Sequence, residues 1–260
     1  MMQPLKTKLE GITRLLMVTC LSDALPLYIV TEYPKSGGSW VSQMLSEYFN
    51  VPFPRNRFPR LRSSIMHGHY LPFPTMKNVV VVLRDGRDVM VSFYYHCLFK
   101  NERYNARLVE TTRKDLQFED YDDIRSNLPR FIEYKFTHKK HPRFTWSEFV
   151  NSWTDMDVPI IKYENLLQDT AREMSKAIRE ICKSRADKAR LERIAEKYSF
   201  KNLAKRNPGE ENKHSFLRKG IAGDWKNHFS REARQIFNEF AGRELIKAGY
   251  EVDGSWLNDD

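Results

Sequence analysis

The residues best suited to chemistry sit in Tyr33-Pro34-Lys35-Ser36-Gly37-Gly38-Ser39-Trp40, between a short apolar run and an amphipathic stretch. A strand, a glycine-rich turn carrying a lysine, and a helix start together make an anion site. Free backbone N–H groups and the positive end of the helix dipole converge there, and two adjacent glycines admit a close ligand. The competing reading is a βα turn with an ordinary surface lysine. This is not a Walker A loop, in which the lysine follows the glycines rather than preceding them. A second group is Arg84 and Ser92, eight residues apart across a strand end and a helix start. An arginine fork and a hydroxyl suit phosphate oxygens; the alternative is an Arg–Asp pair tying strand to helix. His67 and His69 end another short run, where an imidazole can act as a general base or pair structurally. Arg218-Lys219-Gly220 places two cations beside a glycine, able to close over a phosphate. Tyr163 at a strand end either contacts a base or packs.

Elements must hold these residues. Leu27–Thr31 is apolar and rich in β-branched and aromatic residues, so a buried strand is expected. Helical spacing at Trp40, Val41, Met44, Leu45, Tyr48 and Phe49 follows, with Ser39 as the expected N-cap. Ser63–Tyr70 reads as a third element, a strand, and Asn78–Leu83 as a central parallel strand covered on both faces. Val158–Tyr163 reads as a further strand. Helices are expected near the N-terminus, at 120–137, 145–155, 169–182 and 186–197, and from Ser230 to Ala248. Asp85 or Asp88 is positioned to cap the helix after Leu83. The polar segment 205–220 reads as a mobile loop. Basic loops at Arg55, Arg57, Arg60 and Arg62 and at residues 135–144 are open to two readings, an anionic acceptor or solvent.

With 260 residues the chain is long enough for one large α/β domain or two small ones. No apolar run is long enough for a transmembrane segment, and no signal peptide order opens the chain. Cys20, Cys97 and Cys182 lie far apart without metal spacing, which leads to an expectation of reduced thiols, no metal and a cytoplasmic location. The net charge of +9 favours an anionic ligand without naming it.

Four blocks, in this order, resemble the sulfotransferases that use 3′-phosphoadenosine 5′-phosphosulfate (PAPS). YPKSGGSW resembles their 5′-phosphosulfate loop, VVVVLRDGRDVMVSFYYH their 3′-phosphate segment, KYENLL a turn after a central strand, and FLRKGIAGDWKNHF their C-terminal signature. The resemblance implies an α/β fold with three layers, a central parallel β-sheet flanked by helices in P-loop-like topology, forming a single domain over residues 1–260. It implies PAPS as donor, 3′-phosphoadenosine 5′-phosphate (PAP) as product, and no metal. Lys35 would stabilise the leaving group and Ser36, Gly37, Gly38 and Ser39 would cradle the 5′-phosphate. Trp40 would stack on adenine, with Tyr163, Tyr198 and Phe200 near the base. Arg84 and Ser92 would hold the 3′-phosphate, with Leu217, Arg218, Lys219 and Gly220 closing over it. His69 is implied as the catalytic base. His67 stands where the family has lysine and Gly38 where it has threonine. Tyr70 adds a residue before the proline, which leaves both histidines open as the base.

The implied reaction is in-line sulfuryl transfer to a hydroxyl or amine of a small-molecule, glycan or lipid acceptor. It is a case of positioning and charge neutralisation akin to phosphoryl transfer. The expected state is a monomer or weak homodimer without nucleic acid. Two other readings are a P-loop nucleotide kinase or NTPase, and a nucleic-acid binder using the basic charge.

Overall fold

The computed structural model describes residues 3–55, 57, 62–102 and 105–258. Arg60 of the first basic loop lies outside them. By backbone packing the chain divides into two compact units, residues 1–83 with 155–199, and 84–154 with 200–260.

The first unit is built on a four-stranded, wholly parallel sheet of β1 (Leu27–Glu32), β2 (Ser64–Gly68), β3 (Val79–Leu83) and β4 (Ile160–Lys162), in the order β2-β1-β3-β4. Val30 faces His67 on one side and Val80 on the other, and Val82 faces Ile161. All five residues of β3 are buried, as its unbroken β-branched run requires of a strand covered on both faces. The chain runs from β1 to β2 on one side and then to β3 on the other. The carboxyl end of β1 is therefore a topological switch point, where open α/β sheets bind ligands.

One sheet face, carrying Val30, Ile65, Val80, Val82 and Ile161, packs on α2 (Gly38–Phe49), α8 (Thr170–Cys182) and α9 (Lys188–Lys197) through Val41, Met44, Ile178 and Leu191. An N-terminal helix, α1 (Gln3–Cys20), opens this unit. The last strand is shorter than its apolar run. Tyr163 is the first residue of α7 (Tyr163–Gln168) rather than a strand end.

The second unit is helical. Its members are α3 (Gly86–Leu98), α4 (Ala106–Asp115), α5 (Ile124–Thr137), α6 (Trp146–Trp153), α10 (Phe200–Ala204) and α11 (Arg231–Lys247), with short 3-10 turns at Asp224–Asn227 and Ser255–Leu257. Asp85, not Asp88, caps α3 by accepting from the Arg87 amide at 2.9 Å. Thr145 and Glu148 form a capping box that starts α6. The core is aromatic: Phe93, Phe131, Trp146, Phe149, Phe237 and Trp256 are each nearly inaccessible. The Arg87 guanidinium lies 3.9 Å from the ring centre of Trp225 and 4.7 Å from that of Trp256, and pairs with Asp85 and Glu251. Among the described residues no helix is long and apolar enough to cross a membrane, and all three cysteines are free thiols.

Candidate active site

The loop after β1 sets the geometry. Lys35 and Gly37 both have positive φ, 73° and 103°. For Gly37 this is free of steric cost; for Lys35 it is strained backbone of the kind found at functional positions. Gly37, not Ser39, is the N-cap of α2 and offers no side-chain bond to the helix. Ser39 lies inside the first turn, buried. The Ser36 hydroxyl is also buried and finds no hydrogen-bond partner among the described residues. A buried hydroxyl left without a partner is costly, so this one suits an oxygen-bearing ligand at the helix start.

The amide of Gly38 is already taken. It donates to Oε2 of Glu32 at 2.6 Å, while Oε1 of the same carboxylate meets Nε2 of His67 at 2.8 Å. A Cβ on Gly38 would stand 2.8 Å from Glu32 Cδ and 2.9 Å from His67 Nε2. The missing side chain thus makes room for Glu32, to which the Gly38 amide is bonded. Burial pushes the Glu32 carboxyl up, but the hydrogen bond and charge of His67 outweigh it, and the net shift is below the usual carboxylate range. Glu32 is ionised at neutral pH, so the His67 nitrogen that meets it carries the proton.

The two histidines differ in access. His67 has a side chain only 10% exposed, locked on Glu32, and its carbonyl accepts from Arg14 of α1 at 2.7 Å. His69 has an exposed ring yet stands among enough protein to be desolvated. Its Nδ1 donates to the Glu32 carbonyl at 2.9 Å. A carbonyl only accepts, so the tautomer is fixed and Nε2 keeps its lone pair. Burial lowers the His69 pKa, with Glu32 acting the other way and His67 and Arg14 adding to the depression. The result is a neutral imidazole at neutral pH. Tyr70, the extra residue after this histidine, is anchored by a two-way bond with Thr31, whose hydroxyl donates to its carbonyl at 2.9 Å and accepts from its amide at 3.0 Å.

Three aromatic candidates come together. The Tyr163 ring lies against Gly37, where a Cβ would stand 2.9 Å from it. It meets Trp40 edge to face, with centroids 6.1 Å apart. The Trp40 indole donates to the Tyr198 carbonyl at 2.8 Å.

The second unit groups the remaining candidates separately. Arg84 makes the carboxylate pair anticipated as one of its two readings, 3.6 Å from Asp88, and donates to the Ile221 carbonyl at 3.2 Å. Asp88 also accepts from the amides of Gly223 and Trp225 at 2.7 and 2.9 Å. Burial raises its pKa, offset in part by Arg84. Ser92 is one turn beyond Asp88 on the same face of α3. Arg218 and Lys219 both grip Asp224, at 2.5 and 2.6 Å. Burial would raise that carboxyl, but bonds from His228, Lys219 and Arg218 drive it far below the usual range. Gly220, at φ 67°, has Phe200 stacked where a Cβ would be, 2.3 Å away. Residues 205–220, expected as a mobile loop, are laced across themselves: Gly209 N–H meets Lys219 O at 2.8 Å, and Arg206 donates to the carbonyls of Leu217 and Arg218 at 2.5 and 3.1 Å.

Sequence reasoning missed Glu32, Arg14 and Asp224. The available signal for Glu32 was a carboxylate ending a largely apolar strand, and for Arg14 a cation interrupting an apolar stripe.

Residues 50–249 match the family model described as the sulfotransferase domain. The loop at 33–40 precedes the matched interval. Sulfotransferase 1E1 of Cavia porcellus is 25% identical, over 84% of this chain and 82% of its own length. Human sulfotransferase 2A1 is 24% identical, over 81% of each. Among solved structures, mouse sulfotransferase SULT7A1 complexed with PAP superposes with a TM-score of 0.63 at 18% identity, covering 96% of this chain and 94% of that one. Retinol dehydratase in complex with androsterone and inactive cofactor PAP gives 0.58 at 16% identity, covering 90% and 85%. The parallel sheet and its flanking helices are thus the α/β fold of sulfotransferases, and the chain belongs to the sulfotransferase domain family.

Proposed function

We propose that residues 1–260 work as one domain that moves a sulfuryl group from PAPS to a hydroxyl or amine of a small-molecule acceptor, in line with a departing 3′-phosphoadenosine 5′-phosphate. The family supplies the reaction class, and both solved neighbours were crystallised with PAP. The observation in this chain that carries the reading is the buried, unpartnered Ser36 hydroxyl beside Lys35, at the start of α2 and at the sheet's switch point.

When bound, PAPS would supply the sulfuryl group and a leaving group whose charge must be neutralised. Lys35, Ser36, Gly37 and Ser39 would hold its 5′ end, with Gly38 shaping the loop but giving its amide to Glu32. The left-handed backbone at Lys35 gives the loop its shape before binding. Trp40, Tyr163, Tyr198 and Phe200 would contact the base. Arg84, Ser92 and the Leu217-Arg218-Lys219-Gly220 segment would hold the 3′-phosphate, with Lys219 and Arg218 released in part from Asp224. His69 takes the acceptor proton at Nε2, while His67 stays in its pair with Glu32. This choice between the histidines rests on tautomer and exposure.

The kinase reading lacks support: the lysine precedes its glycines, and β3 is followed by Arg84 where a magnesium-binding carboxylate would be wanted. Thermal shift separates the readings. PAP raises the melting temperature, by the equivalent of about 2.7 kcal/mol at a hundred times its Kd. ATP with magnesium and an oligonucleotide do not. A shift with ATP and magnesium alone would overturn the assignment. Transfer of label from PAPS to a panel of hydroxyl and amine acceptors then identifies the substrate.

A further inference from the structure

A cleft of about 310 Å³ opens in the helical unit, and none of its lining residues is among those assigned above. Leu108 and Thr112 of α4, Tyr134 and Lys135 of α5, and Lys140 and His141 of the following loop form its walls. Lys135 is the unusual member. It is 4% exposed, and among the described residues no carboxylate pairs with it. Its ammonium donates to the Lys140 carbonyl at 3.1 Å and stands 4.1 Å from the Phe93 ring centre. Burying an ammonium without a counter-charge costs several kcal/mol, and a ring face and one carbonyl return only part of it.

The surroundings deepen the imbalance. Lys114 and Lys140 line the same cleft. Asp115, its one carboxylate, is engaged: Oδ2 accepts from Tyr134 Oη at 2.7 Å and from Lys140 Nζ at 3.3 Å. His141 reports the field. Its pKa is lowered by burial and then by Lys135, Arg107, Arg143 and Lys140, four cations acting together. Burial likewise lowers the Lys135 pKa, with the Cys97 thiol of α3 opposing it.

We propose that this cleft binds a small organic oxyanion, a phosphate, sulfate or carboxylate on an apolar body. The charged group meets Lys135 and Lys140, and the body lies on Tyr134 and Leu108. An inorganic ion would fill little of the space, which is at the lower end of organic ligand pockets, about 300–1,000 Å³. Ordinary surface lysines keep their heads in water and only their stems on the protein; Lys135 is buried along its whole length, head included. The proposal does not depend on the sulfuryl-transfer reading.

Calorimetric titration of the full chain with phenyl phosphate, benzoate and inorganic sulfate, at fixed ionic strength, tests it. Saturable binding of phenyl phosphate or benzoate is expected. It should weaken at least about tenfold, or about 1.4 kcal/mol, in Lys135→Met and in Lys140→Ala, and not at all in Lys188→Ala on the exposed face of α9. Lys140→Ala alters an exposed side chain, so the test survives if Lys135→Met fails to fold. Absence of saturable binding by either organic probe, equal binding by inorganic sulfate, or full affinity in Lys140→Ala would overturn the proposal.

Discussion

Replacing Glu32 measures how much the buried pair at the head of α2 contributes. Glu32→Ala deletes two charge-assisted contacts at once, the 2.6 Å bond from Gly38 and the 2.8 Å bond with His67, and leaves both donors buried without a partner. Removing one partner of such a pair typically costs about 3–5 kcal/mol. For a chain of this size that corresponds to a fall of roughly 6–20 °C in Tm, at about 2–4 °C per kcal/mol. Glu32→Gln keeps the shape. Its carbonyl can still face Gly38 while its amide meets a His67 that has changed tautomer, so only the charge assistance is lost, about 1 kcal/mol per bond. The sign of the pH effect follows from the depressed carboxyl. The stabilisation is complete above the unfolded carboxyl pKa, about 4.3–4.5, and disappears as pH falls through the lower, folded value. The gap between wild type and Glu32→Gln therefore narrows in that acid window. Urea denaturation at neutral pH and at several acid values reads both quantities. If Glu32→Ala lost less than about 1 kcal/mol, or no more than Glu32→Gln, the carboxylate would not be the anchor described.

Three further outcomes follow. His69→Ala should lose about 10²–10⁴-fold in turnover while His67→Gln keeps most of it. The acid limb of kcat/KM should fall below the ordinary histidine value of about 6.5, because burial lowers the His69 pKa; a limb above that value would contradict the neutral, desolvated imidazole. Lys35→Ala should lower kcat with little change in PAP affinity, whereas Arg84→Ala should weaken PAP binding; unchanged PAP affinity in Arg84→Ala, measured by titration, would remove it from the 3′-phosphate. Gly38→Thr should destabilise the chain, since its Cβ meets Glu32 at 2.8 Å. Combining it with Glu32→Ala should recover part of the loss, and additive melting shifts in the double variant would show the two positions to be uncoupled.

Strands β1, β3 and β4 were readable because each is a short run rich in β-branched residues, the composition a buried parallel strand requires. Their ends were less so. VPIIKY carries one apolar signal through Tyr163, yet the ladder stops at Lys162, because the Tyr163 ring turns onto Gly37 and starts α7. Helix α4 went unseen: ARLVETTRKD has only two adjacent large apolar residues, too few for a period. At the head of α2, serine is the stronger capping residue by type, but a φ of 103° at Gly37 placed the cap two residues earlier. The loop lysine and the Arg84–Ser92 pair read as anion-binding groups, and the strand-end histidines as a general base or a structural pair. The Glu32 carboxylate was not legible, because Glu32 and His67 are 35 residues apart and meet only when β1 and β2 pair. Sequence pattern records which face a residue takes, not what lies across from it.

Residues 251–258 are more than an appendix. Trp256 and Glu251 complete the cage around Arg87, and Arg234 of α11 donates to the Trp256 carbonyl at 3.1 Å. The 3-10 turn Ser255–Leu257 thus braces the beginning of α3, the helix bearing Asp88 and Ser92. Trimming the protein after Gly249 would strip one wall from a sealed guanidinium and loosen the foundation under Arg84, far along the sequence from the cut. A fusion partner joined at that end inherits the same hazard if its linker begins before Trp256.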